Sequence, residues 1–125
     1  MKNRLLLILL CLSFTACYTV EKDCKSFKIG TFEFETYING EVNKTTFTRN
    51  DTLEIDYYKN QADSSSIRWL NDCEYIATKI NPKNRDERRA LQFKILSTDG
   101  DKYTFEYSIV GETKKQNGTA KKIKD

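Results

Sequence analysis

Four cysteines and no histidine limit the chemistry available to this 125-residue chain. Cys24 and Cys73 stand well apart and are flanked by charged and polar residues. Two lone thiolates do not make a zinc site, and a cysteine nucleophile would lack an imidazole base. The carboxylates Glu33, Glu35, Glu54, Asp56, Glu74 and Glu106 are numerous enough for acid–base pairs. Most alternate with apolar residues, which places them on the wet face of strands. Asp99-Gly100-Asp101 lacks the spaced ligands of a calcium loop and reads as a tight turn. No catalytic residue, metal site or cofactor is expected, and the chain reads as a non-enzyme.

The first residues decide how the cysteines are counted. Residues 1–17 read MKNRLLLILLCLSFTAC. Lys2 and Arg4 precede an apolar run of about ten residues, the size of a signal-peptide core and too short to span a bilayer. Phe14-Thr15-Ala16-Cys17 resembles a bacterial lipobox, with small residues ahead of an acceptor cysteine. This implies a signal peptide over 1–16 and a mature chain lipidated at Cys17. Several acyl chains anchor durably, because each buried methylene contributes about 0.8 kcal/mol. The expected location is the bacterial cell envelope. Tyr18 after the acceptor is not the Asp of the usual sorting rule and gives no argument for inner-membrane retention, so the outer membrane is the default, with the leaflet open.

Once Cys11 leaves with the signal peptide and Cys17 carries lipid, Cys24 and Cys73 remain as an even pair in an oxidising compartment. A disulfide is expected. Closing a loop of that length would stabilise the fold by roughly 4 kcal/mol in the chain-entropy picture. Processing also removes Lys2 and Arg4, leaving 19 basic residues against 18 acidic ones. That balance gives no reason to expect nucleic acid. Arg85, Arg88, Arg89 and Lys114, Lys115, Lys121, Lys122, Lys124 read as a solvated surface.

Residues 17–26 are polar and read as a tether. From Phe27 the apolar period is two, which is the strand period. Phe32 and Phe34 share a face, as do Leu53, Ile55 and Tyr57, then Ile67 and Trp69, then Leu91, Phe93 and Ile95, then Tyr103, Phe105, Tyr107 and Ile109. Asn39-Gly40 is a hairpin turn, Asn50-Asp51 another, and Asn71-Asp72 breaks the chain before Cys73. Residues 81–90, with six charged residues in ten, form a long loop or a single helical turn near Asp86. About eight strands with short connections predict one all-β domain over 27–125, an antiparallel up-and-down barrel. An eight-stranded barrel either fills with side chains or holds one small ligand. Phe34, Tyr57, Trp69, Phe93, Phe105 and Tyr107 are the candidate lining of such a cavity. Asp51-Thr52-Leu53 matches a short O-glycosylation signal at a turn, with Thr52 as the candidate acceptor.

The lipobox, Asp23–Phe32 (DCKSFKIGTF) and Trp69–Tyr75 (WLNDCEY) together resemble a family of small, uncharacterised lipoproteins of the Bacteroidetes and Flavobacteria, over almost the whole mature chain. The resemblance implies a lipocalin-like barrel and carries over no activity. A DNA topoisomerase label borne by some similar sequences fits poorly with a short, exported, nearly neutral chain that has no Gly-rich ATP loop. The expectation is a lipid-anchored envelope protein that binds a small apolar ligand. The alternative is an accessory to an envelope complex, with a filled core and a protein partner.

Overall fold

A computed structural model describes residues 22–125. The expected signal peptide over 1–16 and the acceptor Cys17 lie outside the described residues. Eight strands follow one another: β1 (Gly30–Ile38), β2 (Glu41–Arg49), β3 (Leu53–Tyr58), β4 (Gln61–Asn71), β5 (Glu74–Lys79), β6 (Leu91–Asp99), β7 (Lys102–Ile109) and β8 (Gln116–Lys124). Each pairs antiparallel with the next and β8 returns to β1, so the sheet closes into an up-and-down barrel. Short 3-10 turns lie at Lys25–Phe27 and Asp86–Arg88.

Turn chemistry sets the hairpins. Asn39 and Gly40 both have positive φ, 53° and 80°, as the hairpin turn between β1 and β2 requires. Lys59 and Asn60 do the same between β3 and β4, at 46° and 63°. The Asn71 carboxamide accepts a hydrogen bond from the Cys73 amide at 2.8 Å and shapes the β4–β5 turn. Gly118 on β8 answers a different need. A Cβ there would lie 2.7 Å from the rings of both Phe34 and Phe105, so only glycine lets those rings fill the bore.

The up-and-down order gives the barrel two unlike ends. At one end lie the β2–β3, β4–β5 and β6–β7 turns, the start of β1 and the end of β8. The 3-10 turn Lys25–Phe27 crosses this end and inserts Phe27, 2% exposed, into a core of Phe32, Phe47, Ile95, Tyr103, Phe105 and Ala120. Cys24 and Cys73 form a disulfide there, with Cα atoms 5.2 Å apart. Lys28 pairs with Asp72 at 2.9 Å, the Asp23 amide donates to Thr98 Oγ1 at 2.9 Å, and Lys122 donates to the Ser26 carbonyl at 2.8 Å. The folded body therefore begins by Cys24, which is buried. The last residues of the expected tether over 17–26, Asp23 to Ser26, are held by these contacts.

One strand corrects the expected inside and outside. The alternation predicts Leu53, Ile55 and Tyr57 on the core face of β3 and Glu54 and Asp56 in water. The structure has the reverse. Glu54 is buried at 6% exposure and Tyr57 is 44% exposed. The turn is the physical cause. Asn50 Oδ1 accepts hydrogen bonds from the amides of Thr52 and Leu53 at 3.0 and 2.8 Å, and the Asn50 amide donates to the Leu53 carbonyl. This tight turn sets the register Arg49↔Glu54 and Phe47↔Asp56. Phe47 points inward, so its cross-strand neighbour Asp56 must point inward too.

Candidate functional site

Turning the acidic face of β3 inward builds two sites in one bore. The deeper one is a buried ion pair. Arg49, at the end of β2, has a fully buried side chain and donates from Nη1 to Glu54 Oε2 at 3.0 Å and to the Tyr75 hydroxyl at 2.8 Å. Nη2 donates to the Phe27 carbonyl at 2.5 Å and to the Tyr103 hydroxyl at 3.4 Å, and Nε donates to the Lys28 carbonyl at 3.2 Å. The guanidinium carbon lies 4.8 Å from the Phe32 ring centroid and 4.9 Å from that of Tyr75, with Phe47, Trp69 and Tyr103 within 6 Å. Arg49 thus sits in an aromatic cage and grips the carbonyls of the turn that seals this end. Burial lowers the Arg49 pKa, but Tyr75, Tyr103 and Glu54 outweigh it and the guanidinium stays charged. Burial raises the Glu54 carboxyl, and Arg49 and the Tyr75 hydroxyl pull it back. Burial likewise holds the Tyr75 and Tyr103 hydroxyls in the protonated form, able to donate.

The shallower site lies toward the other end of the barrel. A cavity of about 330 Å³ is lined by Glu54 and Asp56 of β3, Asp63 and Ser65 of β4, and Ala77 and Lys79 of β5. Leu91 and Phe93 of β6 and Ile109 of β7 form its apolar side, and Asp86, Glu87 and Arg89 of the β5–β6 loop form its rim. Its volume lies at the lower end of the range for small-molecule pockets. Lys79 pairs with Asp63 at 3.6 Å and with Glu87 at 3.2 Å, and Arg89 pairs with Asp86 at 3.4 Å and Glu112 at 2.9 Å. Glu87 also accepts the Lys83 amide at 2.7 Å. That amide, with Lys79, holds its carboxyl below the ordinary range. Asp56 differs. Among the described residues no hydrogen bond or ion pair reaches its carboxylate, and Asp63 stands directly opposite across the strands. Burial first, then the charges of Glu54 and Asp63, push its pKa up to about 7, against the pull of Arg49 and Lys79.

The six expected lining residues scatter. Phe93 lines the mouth cavity. Phe34 and Tyr107 line a separate groove of about 800 Å³ where β1 meets β8. Phe105 is 7% exposed and packs among Phe34, Phe93, Tyr103 and Tyr107, so it fills the bore. Trp69 packs on Tyr75 near the sealed end, under the Lys28 ammonium at 4.9 Å. Tyr57 stands on the outer surface. Thr52 is exposed in the β2–β3 turn. Of the carboxylates placed in water, Glu35, Glu74 and Glu106 pair with Lys44, Lys94 and Lys115, while Glu54 and Asp56 are the exceptions.

Sequence reasoning missed Arg49 and Lys79 and placed Glu54 and Asp56 on the wrong face. One signal was present. Thr45, Phe47 and Arg49 alternate on one face, so an inward Phe47 implies an inward Arg49, which then needs a buried acid within reach. Among the described residues no three Asp, Glu, Cys or His side chains cluster as a metal site would. No family model, curated protein or solved structure matches the chain.

Proposed function

We propose that this chain is a lipid-anchored, non-enzymatic protein of the bacterial envelope that holds a small ligand in the mouth of its barrel. The observation that carries the reading is the asymmetry of the bore. One end is sealed by Phe27 and Arg49, and the other holds a cavity with an apolar side formed by Leu91, Phe93 and Ile109. The apolar side suits the body of the ligand, and the acidic side of β3 gives it a polar contact. Binding is favoured over catalysis because Glu54, Asp63 and Glu87 are each committed to an ion pair. That leaves Asp56 without a free acid or base beside it.

Anchoring fits the same asymmetry. A Cys17 lipid would lie seven residues from Cys24, a reach of at most about 25 Å. The disulfide fastens that segment to the sealed end. The membrane, by default the outer membrane since Tyr18 is not the Asp of inner-membrane retention, would then lie on the sealed side, with the mouth facing away from the bilayer. Native mass spectrometry of the protein purified from its own envelope tests the reading. A co-purified small molecule supports it, and a bare chain at its acylated mass opposes it.

The second reading, a protein-interaction accessory, draws on the outer face of β3. Leu53 and Ile55 are half-buried there, and Tyr57, with Val42 of β2, is exposed. A stoichiometric protein partner in the same spectra would favour it.

A further inference from the structure

The charges around the mouth cavity are settled at every position but one. Arg49 holds Glu54, Lys79 is shared by Asp63 and Glu87, and Arg89 is shared by Asp86 and Glu112. Both cations on the cavity wall are thus already committed to carboxylates. Asp56 has no partner among the described residues and directly opposes Asp63, an arrangement of like charges that costs stability. β3 and β7 stand four places apart in a closed ring of eight strands, so the Asp56 carboxylate and Ile109 face each other across the bore. Leu91 and Phe93 continue that apolar wall on β6.

We propose that the mouth selects a small organic cation, a primary amine with an aryl or short alkyl body, seating the ammonium on Asp56 and the body against Leu91, Phe93 and Ile109. This rests on the reading of the mouth as a ligand site and names the class of ligand. An ammonium supplies the missing counter-charge and relieves the repulsion between Asp56 and Asp63. A carboxylate head would meet an acidic wall whose cations are taken. An uncharged head leaves Asp56 unpaired when ionised.

The proton follows from the surroundings. The groups that face Asp56 are Arg49 on β2, Glu54 on β3, Asp63 on β4, Tyr75 and Lys79 on β5, Asp86, Glu87 and Arg89 in the β5–β6 loop, and Tyr103 on β7. Arg49 stays charged, and burial keeps the Tyr75 and Tyr103 hydroxyls protonated and neutral. Asp56 changes within that range, with burial and its acidic neighbours holding its pKa at about 7. An amine therefore displaces the Asp56 proton below pH 7, and its affinity should fall about tenfold for each pH unit below that point.

Calorimetry on the full-length protein in detergent tests this with 2-phenylethylamine, 2-phenylethanol and 3-phenylpropionate, using detergent blanks. At pH 8 the amine should bind about tenfold tighter than the alcohol or more, and the acid weakest. At pH 5.5 the amine should lose about tenfold or more. Asp56→Asn should erase both the preference for the amine and the pH dependence. Phe93→Ala should weaken the amine while leaving its preference over the alcohol, so that the claim does not hang on one variant. An alcohol or acid that binds as tightly as the amine, or a preference that survives in Asp56→Asn, would overturn the amine assignment and leave the ligand site standing. The same holds if no probe binds while native spectra carry a different small molecule. No probe and no co-purified molecule would sink both.

Discussion

Arg49 is the side chain on which the sealed end depends. It satisfies the carbonyls of Phe27 and of Lys28 just after it, and the carboxylate of Glu54, at once. Arg49→Ala leaves Glu54 buried without a counter-charge, and the loss should be about 3–5 kcal/mol in denaturant unfolding. Arg49→Met combined with Glu54→Gln should recover part of that loss, because no lone charge remains. A double variant as unstable as the single would show that the carbonyl grip, rather than the charge, dominates. Asp56 works the other way. Its folded-state pKa of about 7 lies above the usual carboxylate value, so the folded state holds its proton where the unfolded chain has released it. Its destabilising contribution is absent below about pH 4, grows as pH rises, and is complete above about pH 7. Asp56→Asn should therefore be more stable than the wild type at pH 8 by on the order of 3 kcal/mol, with the gap closing toward pH 4. Melting curves across that range would read it directly, and a gap independent of pH would contradict the inward placement of Asp56.

At the scale of elements, the alternating segments say where strands run but not which way each one faces. β7 was legible because Tyr103, Phe105 and Tyr107 can only sensibly face a core. In β3 the same alternation misleads. Burying Leu53, Ile55 and Tyr57 is the cheaper choice locally, but the Asn50 turn and the inward Phe47 set the register first. The cost of burying Glu54 is then met by Arg49, a long-range fact that no local pattern contains. The mouth cavity was therefore illegible beyond Phe93, since its polar half rests on the strand that faces against its own pattern. The disulfide was legible because the expected export and the cysteine count leave few alternatives. It ties the turn Lys25–Phe27, which has few backbone bonds of its own, to the β4–β5 turn. Replacing Cys24 and Cys73 with Ser together should cost roughly 4 kcal/mol. Amide exchange should rise first in residues 23–28, because that segment has no strand partner. Uniform loosening of all eight strands would argue against a local staple.

For the whole molecule, closure into a ring removes the open edges that an extended sheet would expose. It also leaves an inside whose two ends can differ. The sealed end carries the disulfide and the chain that leads toward Cys17. The mouth carries the Asp56 carboxylate, without a partner among the described residues, and an apolar wall. Occupancy of that mouth is the property that gives this division its use. Ala77 lies on the cavity wall beside Leu91 and packs with Ile67 and Tyr75, so Ala77→Trp would place an indole in the cavity, with an unchanged melting temperature as the check that the Tyr75–Arg49 contact of the seal survives. Native mass spectrometry of wild type and Ala77→Trp, each purified from its own envelope, should show a small-molecule adduct on the wild type and none on the variant. An adduct retained by Ala77→Trp, or absent from both, would contradict a ligand held in the mouth.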